Sequence, residues 1–548
     1  MKNGKNTMTE GIRTIHLPEK NGEPVFRIGI LEDQDFLDFK VMGKFSVTDA
    51  EGNVLIENIT SDLKWRVKVK ESRAGKEVFH LILYQSFNKE RIEEKLQIAR
   101  KYDPDARIEV LGGNIYLGDR RINNNTKYII LSGTYETEME AKKSFKRFQP
   151  EFNPSVTKET IKEPSGVLEF FDAEYENAGE VEIAFKLVPE KVETKIHLYN
   201  IRTYDEVHQK EHLVERVYQG TIEFRIDNRG KLMAISEIPL ETYLKRVVYS
   251  EIGTDLPVEF SKSLAIVCRS EVLARVQHNH LGDPYDMCDW GHCLRYYGED
   301  FEDRNIEQAV EETRGQVIFT SHNNICDAYF NLICGGHTED ATGVWEIDEA
   351  PQFHGKYDWV KVPREFTNLQ DENTVRNWIL SRPDAWCNLK GRKVPASLEQ
   401  YKKYFRWEVD YSRQELEEII RKKTGEDIGI LFDIVPLRRG RSGRLKEIEL
   451  IGSLKNYRIR GELNIREALS NDYLESSCFI VEKEMDEVGT PISFTLVGAG
   501  QGHGVGMCKT GAAVMALEGY DWRKILNHYF ENCDIRSIYE ISLDSNDE

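Results

Sequence analysis

Residues 238–277, IPLETYLKRVVYSEIGTDLPVEFSKSLAIVCRSEVLARVQ, decide how this chain reads. Leu240, Leu244, Val247 and Glu251 recur at three- to four-residue spacing, which predicts a helix with a carboxylate on its apolar stripe. Burial disfavours the charged form of an acid, so the pattern predicts a raised pKa for Glu251 and an ability to donate a proton near neutrality. A structural ion pair is the other use of such a position. Asp255 and Pro257 then start a second helix, whose i+4 row is Phe260, Leu264, Cys268, Val272 and Val276. Cys268 reads as a small buried hydrophobe. Lys262 and Arg269 lie off that row, where they either stay solvated or meet an anionic or sugar ligand.

Upstream of this pair the pattern changes to period two. Residues 24–31 (PVFRIGIL) and 37–59 alternate apolar and polar positions around turns at Met42-Gly43 and Glu51-Gly52-Asn53. Residues 78–148 read as strand, helix, strand, strand, helix, a small α+β module. The segment FQPEFNPSVTKETIKEPSG (148–166) reads as a linker, because its prolines and polar residues suit neither period. Strands then precede the two helices at 181–189, 221–227 and 231–236, and the arginine cluster LRRGRSGRLK (437–446) reads as a hairpin turn. The expected division is a tail at 1–23, a β part at 24–75, an inserted module at 76–150, a linker at 151–177 and a main domain at 178–540. The fold class is α+β.

A chain of 548 residues with 40% hydrophobic content can build two or three cores. Its net charge of −20 argues against a general nucleic-acid binder, which needs clustered Lys and Arg. The sequence contains no run of eighteen apolar residues, and the first twenty residues lack the apolar core of a secretory signal. The expectation is a chain without a transmembrane segment, either cytoplasmic or exported by a signal not contained here.

Two further stretches carry chemistry. HNHLGDPYDMCDWGHC (278–293) gathers His280, Cys288, His292 and Cys293, the ligand types zinc prefers. The spacing fits no common zinc finger, so a zinc site stands against a buried cysteine pair or a disulfide. Cys334 and His337 in CGGHTED offer other possible ligands. GAGQGHGVGMCKTGAAVMALEG (498–519) sets His503 among glycines that permit positive φ and close backbone approach, without the Gly-Lys-Ser/Thr end of a phosphate loop.

Taken in order, IPLETYLKRVVYSEI, SKSLAIVCRSEVLAR, DMCDWGHCLRYYG, ETRGQVIFTSHNNICDAYFNLICGGHTEDATGVW and GQGHGVGMCKTGAAVMALEGYDWRKILNHYF resemble the successive blocks of the SpoIID/LytB family of cell-wall proteins. The resemblance covers residues 24–70 and about 178–536. It implies a mixed, β-rich core with helices lining a glycan cleft, and lytic transglycosylase activity on peptidoglycan with Glu251 as acid and base. It further implies glycan contacts at Lys262, Arg269, Gly335, Gly336, Thr338, His503, Gly504 and Gly506. A structural zinc on Cys288, His292, Cys293 and His280 is also implied, as are a location in the cell envelope or outside the cell and a cell-wall amidase as partner. The module at 76–150 resembles a SPOR-type glycan-binding repeat. A non-catalytic amidase enhancer and a zinc-stabilised scaffold are the alternative readings. Cys334 and Cys508 stand where the family has serine, Thr510 where it has tyrosine and Leu264 where it has glutamine.

Overall fold

Alternation in the first third of the chain is resolved as two sheets that share one core. Phe26, Ile28 and Ile30 of the strand Glu23–Gln34 point inward with less than 3% exposure, as period-two side chains on a one-sided sheet must. The computed structural model describes residues 12–541 other than 62, 150, 173, 175, 206–209, 290, 291, 299, 346, 348, 349 and 362. The expected tail at 1–23 therefore lies partly outside the described residues, and its described part carries short strands at Thr14–His16 and Glu19–Lys20.

One sheet runs in the order 19–20, 23–34, 232–239, 221–226, 184–189, 44–49, 54–60, with Met287–Cys288 added beside 23–34. The other runs 177–182, 165–171, 65–73, 36–41, 196–205, 210–218. Their inner faces meet where Phe39 packs on Phe224 at 5.4 Å and Phe170 on Phe185 at 4.9 Å. Against this core lie the two helices expected from the sequence, Leu240–Ile252 and Val258–Ala274. The second is a hub contacted by Leu240–Ile252, Arg304–Glu312, Lys509–Leu517 and Trp522–Tyr529. Almost every residue from Phe260 to Ala274 is buried, not one stripe alone, because helices close around it on several sides.

The module after residue 76 is a four-stranded antiparallel sheet in the order 155–162, 76–86, 127–135, 107–111. Helices Lys89–Ala99 and Glu138–Lys143 cover it, over a core that includes Leu81, Leu83, Ile92, Ile130 and Phe148. Its hairpin Asn114–Leu117/Arg120–Asn124 leaves this sheet and pairs with Thr14–His16. The linker expected at 151–177 is corrected. Ser155–Lys162 is the edge strand of the module and Ser165–Phe171 an inner strand of the six-stranded sheet. An edge strand tolerates the charged, proline-flanked composition that made the segment look structureless.

The expected main domain at 178–540 also holds a second hydrophobic core. It is built from Trp407, Leu416, Ile420, Ile434, Leu445, Phe479 and Leu496 on two three-stranded sheets and the helix Arg413–Thr424. The arginine cluster does form a hairpin, with Arg439 opposite Leu445. Its arginines are not all solvated: Arg439 binds Glu372, and Arg444 reaches Ser442 Oγ and the carbonyls of Gly502 and Cys334. The molecule is thus a strand-rich α+β protein with several sheets.

Candidate functional site

Glu251 sits in the last turn of Leu240–Ile252, which Gly253 ends at φ 88°, a conformation that glycine adopts without strain. The carboxylate is 5% exposed. Lys509 Nζ donates to Glu251 Oε2 at 2.5 Å and to its backbone carbonyl at 2.9 Å, and the Arg295 N–H donates to Oε1 at 3.0 Å. Ser397 packs against Gly253, and Tyr401 is near enough for the charges of Arg295 and Glu251 to act on its phenol. The segment Ala396–Tyr404 therefore lies over this end of the helix.

The raised pKa expected of Glu251 is corrected. Burial is the largest single influence and pushes the carboxyl up. The charge and hydrogen bond of Lys509, with the Arg295 amide, together outweigh it and hold the carboxyl below its usual range. Lys509 was not singled out from the sequence. The available signal was that it is the sole charged residue from Gly504 to Leu517, and a charge in so apolar a stretch needs a buried partner.

The residues expected to contact glycan separate into two groups. Arg269 is fully buried and grips Glu241 through Nε at 3.1 Å and Nη2 at 2.5 Å, with Nη1 on the Gln316 carbonyl. Its fork is spent inside the fold, which corrects the expectation of a ligand contact. Lys262 pairs with Glu259 and Glu312. Gly335 and Gly336 are buried against Gly500 and Ala385, and Thr338 bonds the Lys356 backbone. A Cβ on Gly504 would fall 2.4 Å from the Arg444 guanidinium, and one on Gly506 only 1.9 Å from the Tyr329 carbonyl. These glycines serve close packing of this chain's own backbone.

His503 forms the second group. It is half-buried, not exposed as a turn residue would be, with its ring 5.0 Å from Trp345 and its Nδ1 accepting from the Val505 amide. Burial pushes its pKa down to about 3, so the ring is neutral. It lines a cavity of about 310 Å³ with Trp345, Asn464, Arg466, Tyr84 and Asn153, between the inserted module and the rest of the chain. Glu251 does not line that cavity.

The loop after the second helix brings His280, Cys288, His292 and Cys293 together, with one ligand atom of each within 4.8 Å of all the others. His280 Nε2 lies 3.4 Å from both His292 Nδ1 and Cys293 Sγ, and Cys293 Sγ lies 3.6 Å from His292 Nδ1. A tetrahedral zinc with ordinary bond lengths requires about 3.4 Å between nitrogens and about 3.6 Å between nitrogen and sulfur, so the donor set fits the ion. Asp283 binds His280 Nδ1 at 3.0 Å and thereby turns Nε2 toward the cluster. No disulfide joins the cysteines among the described residues. Of the other possible ligands, His337 is fully buried with Nδ1 2.7 Å from the Thr338 carbonyl, and Cys334 lies in a different cluster with Asp358, Cys387 and Cys508.

Residues 228–319, which contain both central helices, Glu251 and the loop cluster, match the family model described as stage II sporulation protein. Residues 339–506, which contain the second hydrophobic core, match a domain of unknown function (DUF8618). An uncharacterized protein of Brachyspira hyodysenteriae is 25% identical over 318 residues, 58% of this chain and 72% of that protein. The amidase enhancer of Bacillus subtilis is 22% identical over 254 residues, 44% of this chain but only 34% of the relative, so the match spans about a third of that protein's length. A putative exported protein of Burkholderia pseudomallei aligns over 93% of this chain and 91% of its own at 8% identity, and its TM-score of 0.18 carries no argument about fold. The stage II sporulation match over the Glu251 region, together with the amidase-enhancer relative, supports SpoIID/LytB membership for the part of the chain that carries Glu251.

Proposed function

We propose that this chain acts on the glycan strands of bacterial cell wall as a lytic transglycosylase with Glu251 as its acid and base. The supporting observation is the meeting of two blocks 258 residues apart, the end of the Leu240–Ile252 helix and the glycine-rich segment, at the Glu251–Lys509 pair. The protonated carboxyl would give its proton to the glycosidic oxygen between MurNAc and GlcNAc. As a carboxylate it would then take the proton of the MurNAc 6-hydroxyl as that oxygen attacks C1, leaving a 1,6-anhydro end without water. In the arrangement described, Lys509 holds Glu251 ionised. Acid chemistry therefore needs the ammonium to leave, after which burial pushes the carboxyl up against only the Arg295 amide and charge.

The cavity around His503 and Trp345 is the candidate glycan contact, with the SPOR-like module as an anchor beside it. His280, Cys288, His292 and Cys293 would hold a structural zinc that fixes the loop, and no step uses it. No helix among the described residues is long and apolar enough to cross a membrane. Action at the wall places the working chain in the envelope or outside the cell, with a cell-wall amidase as a possible partner.

A second reading, a non-catalytic enhancer of such an amidase, is favoured by one observation. Glu251 is buried and ion-paired with Lys509. Incubation with purified sacculi and with peptide-stripped glycan, read by mass spectrometry for anhydro-muropeptides, separates the two. Product without added amidase supports the transglycosylase, whereas stimulation of an amidase with no anhydro product supports the enhancer.

A further inference from the structure

Two of the positions where this chain departs from the SpoIID/LytB pattern, Cys334 and Cys508, converge on one point. Cys334, which precedes the Gly335-Gly336 turn, and Cys508, which caps the helix Lys509–Leu517, come together with Asp358 and Cys387. One ligand atom of each lies within 4.8 Å of all the others, and all four residues are fully buried. Cys334 Sγ is 3.6 Å from Cys387 Sγ and 3.2 Å from Asp358 Oδ2. A tetrahedral ion with ordinary zinc–sulfur bonds sets its sulfurs about 3.8 Å apart.

We propose that Cys334, Asp358, Cys387 and Cys508 form a second metal site, a closed structural one that takes a zinc-like divalent ion. The surroundings are those of thiolate ligands. Backbone amides of Cys334 and Gly511 donate to Cys508 Sγ at 3.3 and 3.4 Å, and the Gly336 amide donates to Cys334 Sγ at 3.4 Å. That last contact needs the backbone to fold back on its own cysteine, which Gly335 and Gly336 allow at φ 79° and 105°. His528 Nε2 lies 2.9 Å from Asp358 Oδ1 and orients the carboxylate from outside the cluster.

Two observations favour a cation at this point. Asp358 is a fully buried carboxylate whose named partners are an imidazole and a thiol, a costly state for an anion without a positive charge beside it. The Tyr529 hydroxyl, on a side chain 4% exposed, has no hydrogen-bond partner among the described residues and lies close to the same carboxylate. A Cβ on Gly511 would lie 2.5 Å from that hydroxyl and 2.7 Å from Asp358 Oδ2. Three thiolates select a borderline or soft ion, the carboxylate disfavours monovalent copper, and full burial leaves no open position for substrate. Residues 334 and 508 flank the region 339–506 that matches the domain of unknown function, and 358 and 387 lie within it. The ion would therefore fasten the two ends of that region to its interior.

The test is metal content of the full chain purified without chelators, by native mass spectrometry, and reloading of the chelated protein with cobalt(II). Removing the loop cluster with His292→Ala/Cys293→Ser should leave one bound zinc and a thiolate-to-cobalt absorption band. Adding Cys387→Ser should abolish both. A loop-cluster variant with native circular dichroism that binds neither metal overturns the proposal. So does a Cys334–Cys387 disulfide found by peptide mapping of the wild type. If the loop-cluster variant does not fold, X-ray absorption of the zinc-loaded wild type decides. More than two sulfurs per zinc on average supports the second site, and two sulfurs with two nitrogens overturns it.

Discussion

The two ends of the helix Leu240–Ile252 carry the same residue in nearly the same burial and use it differently. At the N-terminal end Glu241, 4% exposed, accepts both arms of the Arg269 fork, the Gly315 amide at 3.0 Å and the Tyr539 hydroxyl at 3.3 Å. At the C-terminal end Glu251, 5% exposed, accepts from one flexible ammonium and one backbone amide. A planar guanidinium locked in two directions makes a fixed strut, whereas a lysine on a four-carbon stem can swing away. Burial and an ion pair therefore do not by themselves distinguish a structural acid from a reactive one. On the proposed reading, the number and stiffness of the donors set the two apart.

The sharpest way to break this contrast is to remove the partner at the fixed end. Arg269→Met leaves Glu241 buried without its counter-charge and should cost about 3–5 kcal/mol of stability, read as a fall in the urea midpoint. A loss under about 1 kcal/mol, the scale of a surface pair, would mean that Glu241 is no better fixed than Glu251. At the other end, Glu251→Gln should lower release of anhydro-muropeptides by at least about 10²-fold. Its stability loss should be smaller than that of Arg269→Met, because the Glu251 carbonyl still holds the ammonium. Unchanged turnover would remove Glu251 from the chemistry and leave the enhancer reading.

Acidification sharpens the comparison further. Glu251 is held below its ordinary value, so the stability it contributes is complete above the unfolded carboxyl pKa of about 4.3. That contribution is lost as pH falls through the lower folded value. Lys509→Met should remove the acid-side loss at this group, since the carboxyl then meets burial without its cation. Midpoints measured from pH 7 down to pH 3 for both proteins provide the check, and parallel curves would refute the pairing. The smallest effect expected is at the candidate glycan contact. His503→Ala should weaken binding of peptide-stripped sacculi by about 0.5–1.5 kcal/mol, one hydrogen bond's worth, in a pull-down titration, while Arg269→Lys leaves it unchanged.

Much of the molecule was legible because its signals are local. The period-3.6 stripe placed both central helices, alternation placed the strands at 24–59, and the thiols and imidazoles of 278–293 were close in sequence before they were close in space. The sequence could not show that residues 155–162 complete a sheet, because an edge strand lacks the one-sided burial that makes alternation visible. Nor did it show the second core at 407–496, whose short elements were read as part of one domain.

What the sequence alone determined, then, is which side chains are turned inward and which neighbours share a turn or a loop, since backbone period governs both. Tertiary structure decided who meets whom across the chain. It gave Glu251 a lysine 258 residues away and so reversed the direction of its pKa shift. It also gathered Cys334, Asp358, Cys387 and Cys508 from four separate segments. The physical reason is the same in both cases. The cost of burying a group follows from its own helix or strand, but the charge or ligand that offsets that cost arrives only when distant elements pack.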